Sequence, residues 1–346
     1  MFVPKLAAMD ELKIDPSSAR PIAVLVDREG LGDSLLKLPF LRAIRHGYPG
    51  RPIWWIATHQ TSMAGDLKPF VTGLIDRIID HAQLTGRNRA VRDRLRQLPP
   101  FELVFDSRTH VASVVLARTL LEHNGYFVCL PGYLLSDRRP AGRWARPRNI
   151  AHRMLSLAEA ALGRPPDWQG TLEASPTARS LAAARLPPGP RYIGIAVGSR
   201  EVRKNWPLDR YIELARSLVA KGLTPAFLIG PQEREWLERL RSGAPSGLFL
   251  EAESINPSPD TALDTAIALC QRLSAAVAND SGIGHLLGAV GTPLVSLFGP
   301  TDAARWVPFS ASKHGVIVRA QEFGGTAMES IPVEAVLRAV DRVIQS

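Results

Sequence analysis

The chain is 346 residues long, enough at roughly 150 residues per domain for two cores. With 45% apolar and 22% charged residues it is neither a disordered polymer nor a membrane bundle, and even its apolar stretch from Val111 to Leu121 carries Arg118, so no run reaches the 18 or so residues of a spanning helix. Lysine and arginine outnumber aspartate and glutamate by 42 to 33, a net charge of +9, which calls for an anionic partner: nucleic acid, a lipid surface or a phosphorylated small molecule.

From the N-terminus, Met1 to Ile14 places Lys5, Asp10, Glu11 and Lys13 where a secretory signal needs apolar residues, so a cytoplasmic protein is expected. Ile22 to Asp27 reads as a strand, followed by a glycine loop, a single turn over Asp33 to Leu38 and a helix with Pro39 in its first turn. Strands at Ile53 to Ala57 and Leu103 to Phe105 and a helix from Val111 to about Leu121 continue an α/β alternation. A basic stretch from Arg138 to Arg153 runs into a helix ending near Leu162, and Pro187-Pro188-Gly189-Pro190 reads as the linker. The alternation restarts with strands at Tyr192 to Val197 and Pro225 to Ile229, separated by a helix from Leu208 to Val219. A charged helix is expected over Gln232 to Arg241, then strands at Ala275 to Ala278 and Pro293 to Phe298 around a helix near Ile283 to Val290. A last amphipathic helix carries Val333, Val336, Leu337, Val340, Val343 and Ile344 on one stripe. Cys129 and Cys270 lie far apart among apolar neighbours and read as inert core thiols. Two doubly wound halves on a short linker would place function at the carboxyl ends of their strands, in the cleft between them.

Three loops there carry chemistry. In Gly30-Leu31-Gly32-Asp33 the glycines permit close backbone approach, and Asp33 is a helix N-cap, a carboxylate presented to a ligand, or both at once. In Val197-Gly198-Ser199-Arg200-Glu201-Val202-Arg203-Lys204, serine, arginine and lysine could cradle phosphate at a helix start; the alternative is a solvated basic loop. In Asn279-Asp280-Ser281-Gly282-Ile283-Gly284-His285, backbone amides and the Ser281 hydroxyl could hold a diphosphate, while His285 defaults to a structural residue. No Asp-x-Asp, HExxH, CxxC or Gly-x-Ser-x-Gly occurs, so neither a bound metal nor a serine nucleophile is supported. Arg87, Arg89, Arg92, Arg94 and Arg96, and Arg138, Arg139, Arg143, Arg146 and Arg148, lack interleaved aromatics apart from Trp144, which disfavours nucleic acid; they are a solvated face or a patch for an anionic acceptor.

The opening strand with Gly32-Asp33, Pro39, Leu41-Arg42-Ala43 and Tyr48-Pro49 resembles the start of glycosyltransferase family 9, the ADP-heptose:lipopolysaccharide heptosyltransferases. Gly198 with Lys204-x-Trp206-Pro207, Gly230-Pro231-x-Glu233, Asp280-Ser281-Gly282-x-x-His285 and Phe298-Gly299-Pro300-Thr301 resemble that family's motifs in order. The resemblance implies a GT-B architecture: a Rossmann-like acceptor-side domain over 1–186, a nucleotide-sugar-binding domain over 187–330 and a final helix, 331–346, packing back on the first. It implies an inverting transfer, most simply of heptose from ADP-heptose to a lipopolysaccharide-core or acidic glycolipid acceptor, with no cofactor or metal and with peripheral contact at the inner face of the cytoplasmic membrane. By motif position Asp33 is the general base, with Gly30 and Gly32 shaping its loop. Ser199, Lys204, Ser281 and Gly282 meet the diphosphate, Lys204 also acting catalytically; Glu233 meets the ribose and Asp280 the donor sugar, with His285 completing the donor motif. Arg200 is added to the donor residues on its chemistry. Two other classes remain: a nicotinamide-dependent oxidoreductase using Gly282-x-Gly284, with Asp302 as its ribose acid, and a non-catalytic nucleotide-sugar-binding protein.

Overall fold

The computed structural model describes residues 19–251, 255, 259–309 and 315–345; the expectation for Met1 to Ile14 lies outside them. Chain contacts divide the protein into two compact units, Met1–Trp168 and Gln169–Ser346.

In the first unit, β1 (Ile22–Val26), β2 (Ile53–Ala57), β3 (Arg77–Ile79), β4 (Phe101–Asp106) and β5 (His123–Val128) form an all-parallel sheet in the order β3-β2-β1-β4-β5. β1 and β2 are buried along their whole length, which is why they read as unbroken apolar runs: a parallel strand is covered on both faces. The helix Leu38–Gly47 takes Pro39 in its first turn, where the missing N–H is not needed, and its Phe40 meets Phe105 of β4 edge-on at 5.2 Å. Phe105 in turn stacks on Phe127 of β5 at 5.4 Å. The strand order reverses between β1 and β4, whose register pairs Ile22 with Leu103 and Leu25 with Asp106.

In the second unit, β6 (Tyr192–Ala196), β7 (Thr224–Ile229), β8 (Leu248–Glu251), β9 (Ala275–Asn279), β10 (Leu294–Phe298) and β11 (Gly315–Arg319) form another all-parallel sheet in the order β11-β10-β9-β6-β7-β8. The reversal here falls between β6 and β9. One face of this sheet packs on the helices Leu208–Ala220 and Val333–Gln345 through Tyr211, Leu214, Leu218, Val336 and Val340. The expected pair of doubly wound α/β halves is therefore what the chain forms.

Three features differ from expectation. The division falls at Trp168 and not at the Pro187 to Pro190 stretch, because the helix Pro176–Arg185 packs on the helix Pro259–Gln271 of the second unit. That segment is tied there by polar contacts: the Ser175 N–H donates to Asp264 at 2.9 Å, and Gln271 donates to the Leu172 carbonyl at 3.1 Å. The final helix, expected on the first half, buries its apolar stripe in the core of the second. The charged helix after β7 opens as a 3₁₀ turn, Pro231–Trp236, and becomes α-helical only over Leu237–Gly243. Cys129 and Cys270 are buried free thiols as expected, the latter pushed up to about 12 by burial.

Candidate active site

At the reversal point of the second sheet, the loops that leave β6 and β9 lie side by side, the place where doubly wound sheets bind ligands. Lys204, from the first loop, puts its ammonium 3.1 Å from Asp280 Oδ2, in the second, and 3.1 Å from Glu201 Oε1. Burial on its own would lower the Lys204 pKa, but the Asp280 and Glu201 carboxylates outweigh it and hold the ammonium above its ordinary range. Glu201, an exposed residue, is in turn held below the ordinary carboxylate range by its hydrogen bonds to Lys204 and then Arg203. The Lys204 ammonium is thus held between the side chains of Asp280 and Glu201.

Immediately after Asp280, Ser281 caps the helix Gly282–Val290, its hydroxyl facing the Gly284 N–H at 3.5 Å. Gly282 opens that helix with open space around it, so the first-turn amides are approachable. His285 is buried on the same helix. Before Asp280, Asn279 is buried and accepts the Tyr211 hydroxyl at 2.8 Å; burial pushes that phenol far up, keeping it a donor.

Glu233 occupies space that two glycines leave. A Cβ on Gly198 would stand 1.9 Å from Glu233 Oε1, and one on Gly230 2.6 Å from Oε2. Burial raises the Glu233 pKa above its ordinary value against the opposing backbone N–H groups of Gly230 and Glu233 itself. Ser199, expected at the diphosphate, has its hydroxyl 2.8 Å from both the Glu201 carbonyl and the Asn205 side-chain oxygen, so it shapes the loop. Arg200 is exposed at the loop's tip. Lys204, Asp280, Ser281, Gly282 and Glu233 all belong to the second unit. Glu201 and Gly198 were not assigned roles from the sequence, although Glu201 stands three residues before Lys204 on one turn.

Asp33, with Gly30 and Gly32, belongs to the first unit, at the reversal between β1 and β4. Gly30 is the N-cap of the short helix Leu31–Leu35, so Asp33, in its first turn, is not the cap. No hydrogen bond or ion pair engages its half-buried carboxylate among the described residues.

The dinucleotide reading loses its geometry. Gly282 and Gly284 lie inside a helix and not in the turn before it, and a Cβ on Gly284 would come 2.9 Å from the Asn279 carbonyl, so this glycine serves helix–strand packing. Asp302, the only acid at ribose spacing, caps the helix Ala303–Trp306 by accepting the Ala304 N–H at 3.0 Å. No helix among the described residues is long and apolar enough to cross a membrane. Of the arginine-rich segments, all of the first but Arg87 lies on the helix Arg89–Gln97, where Arg89 and Arg96 both face Asp93. The second carries Trp144, 67% exposed under the Arg139 guanidinium at 3.3 Å, and follows the exposed Leu134.

Lipopolysaccharide heptosyltransferase 1 of Pseudomonas aeruginosa is 27% identical over 295 residues, 81% of this chain and 79% of that protein. Lipooligosaccharide heptosyltransferase 2 of Haemophilus influenzae is 33% identical over 107 residues, so the match spans only 30% of that relative's length and 31% of this chain. An E. coli heptosyltransferase solved with ADP superposes with a TM-score of 0.65 at 19% identity, over 93% of this chain and 99% of the other, which establishes the shared GT-B fold. The family model for glycosyltransferase family 9 (heptosyltransferase) matches residues 89–330, and the chain belongs to that family.

Proposed function

We propose that this protein is an inverting glycosyltransferase that moves a sugar, heptose from an ADP-linked donor, onto a lipopolysaccharide-core acceptor. The observation that carries the reading is the pairing of Lys204 with Asp280 at the amide-lined start of the Gly282–Val290 helix. The departing nucleoside diphosphate gains negative charge as the glycosidic bond breaks, and a preorganised ammonium and helix N-terminus stabilise charge that develops there. That donor set supplies the stabilisation from the protein itself, so transfer should continue in excess EDTA. Glu233 is suited to a ribose hydroxyl pair, as an acceptor in a slot that only glycine neighbours allow. Asp33, its carboxylate not spent on capping, takes the proton of the acceptor hydroxyl. The E. coli relative solved with ADP supports the nucleotide, and the named heptosyltransferases support sugar and acceptor. Exposed Leu134 and Trp144 beside Arg138 and Arg139 support a peripheral contact with an anionic leaflet on the cytoplasmic side, where the acceptor is offered.

The test is Asp33→Asn. Asparagine keeps the shape of aspartate but cannot accept the proton, and a general base contributes about 10² to 10⁴ in rate. With ADP-heptose and a heptose-acceptor lipid, transfer should fall at least 100-fold while ADP affinity and melting temperature hold. Retention of more than about a tenth of wild-type transfer removes Asp33 as the base, and no transfer by the wild type to any core acceptor removes the activity.

A further inference from the structure

The short helix that carries Asp33 is bracketed by a buried ion pair. Glu29, two residues before its first residue, is 2% exposed; Lys37, two residues after its last, is 8% exposed; and the Lys37 ammonium donates to Glu29 Oε1. The other carboxylate oxygen, Oε2, accepts the Trp55 indole N–H at 3.1 Å and the Thr61 hydroxyl at 3.0 Å. The Glu29 N–H also donates to the Gln60 carbonyl at 2.9 Å, a second tie to the loop after β2, while the Lys37 N–H donates to the Ser34 carbonyl of the short helix itself at 3.0 Å. Lys37 also reaches Ser107 Oγ at 3.4 Å, on the loop after β4, and Ser107 donates to the Leu25 carbonyl of β1 at 3.0 Å. The cluster therefore joins the loops after β1, β2 and β4 at the point where the strand order reverses.

Five helical residues form too few internal bonds to offset their own nucleation, and Gly30 gives this helix no side-chain cap. Something outside the helix must hold it. A buried ion pair is a poor source of net stability, since an apolar pair of similar volume often does as well, but it fixes two points of the chain relative to each other. Here the two points are the ends of the helix bearing Asp33. We propose that Glu29 and Lys37 are positioning residues, a clamp that orients the Asp33 carboxylate toward the acceptor hydroxyl; this rests on reading Asp33 as the base. The base acts only when it lies within hydrogen-bond reach of the proton it takes, so a helix free to tilt loses turnover before it loses fold.

The experiment separates charge burial from positioning. Lys37→Met alone leaves the Glu29 carboxylate buried and unpaired and should lower the melting temperature. The double variant Glu29→Gln/Lys37→Met removes both charges and should recover most of that temperature. If the clamp positions Asp33, the double variant still transfers at least tenfold more slowly in kcat with the donor KM unchanged, and amide hydrogen exchange over Leu31–Leu35 is faster than in the wild type. Lys37→Arg, which keeps the charge, should restore part of the rate. Wild-type kcat in the double variant, or unchanged exchange over Leu31–Leu35, overturns the proposal. The exchange is read without substrate, so an active Asp33→Asn variant would count against the base reading alone.

Discussion

Glycine at positions 198 and 230 is explained by a side chain thirty-odd residues or three residues away, that of Glu233, whose carboxylate fills the room that two missing Cβ atoms leave. In Gly198→Ala the new Cβ would stand 2.4 Å from Glu233 Cγ, so the whole flexible side chain must swing aside while the backbone stays. Loss of one hydrogen bond to a charged group is worth roughly tenfold or more in affinity, so this variant should bind ADP about tenfold more weakly with a nearly unchanged melting temperature, both read on one preparation. Wild-type affinity would remove Glu233 from nucleotide recognition. Its raised pKa sets a second expectation. Because the folded protein holds this proton to higher pH than the unfolded chain does, stability falls as pH rises between the ordinary glutamate value and the raised one, and ionised Glu233 is a standing penalty above it. Glu233→Gln should therefore melt above the wild type at neutral pH and with it below the ordinary glutamate range, while ADP binding, which needs the carboxylate, should lose its acidic limb. Identical melting of the two proteins at neutral pH would show the penalty to be absent. Lys204, Glu233 and Asp280 could be singled out because each stands in a short local motif and the motifs follow one another in the order of glycosyltransferase family 9; the fit of Glu233 against Gly198 was not legible, since nothing in a glycine's neighbours says which distant atom needs the space.

Elements were legible in proportion to how local their signal is. β1, β2, β6 and β9 are buried on both faces and announce themselves as apolar runs, and the helices Leu38–Gly47 and Leu208–Ala220 carry a stripe and a proline at the right place. β3, β5 and β8 went unread: Arg77-Ile78-Ile79, His123-Asn124-Gly125 and Leu248–Glu251 are short or mixed in polarity, and they become strands only by pairing with β2, β4 and β7. The final helix shows the same limit. Its apolar stripe was plain, but the face it covers depends on packing, and Val340 is fully buried in the core of the second unit. Val340→Ala, which removes two methyl groups from that site, should destabilise the protein by about 2 kcal/mol in chemical denaturation. A change within about 0.5 kcal/mol, as at a surface position, would place the helix outside that core.

At the scale of the molecule, the net charge of +9 and the exposed Leu134 and Trp144 beside Arg138 and Arg139 lead to a binding experiment. Each exposed arginine near an anionic lipid surface contributes about 1 kcal/mol, screened beyond a Debye length of about 8 Å at physiological salt. Binding to phosphatidylglycerol vesicles should be clear at 50 mM NaCl and lost by 500 mM, and Trp144→Ala should weaken it at low salt; binding that salt does not alter, or none at either concentration, rules the surface out. Composition, punctuation and motif order by themselves determined that this chain is α/β, that it has two halves and which family it joins, because those signals are written in neighbouring residues. Where the halves divide, which core takes the last helix, and that Glu29 and Lys37 close around the helix of Asp33 were decided only by tertiary structure. Burial of a charge, or of one face of a helix, depends on residues far away in the chain, and no local pattern records which of them will meet.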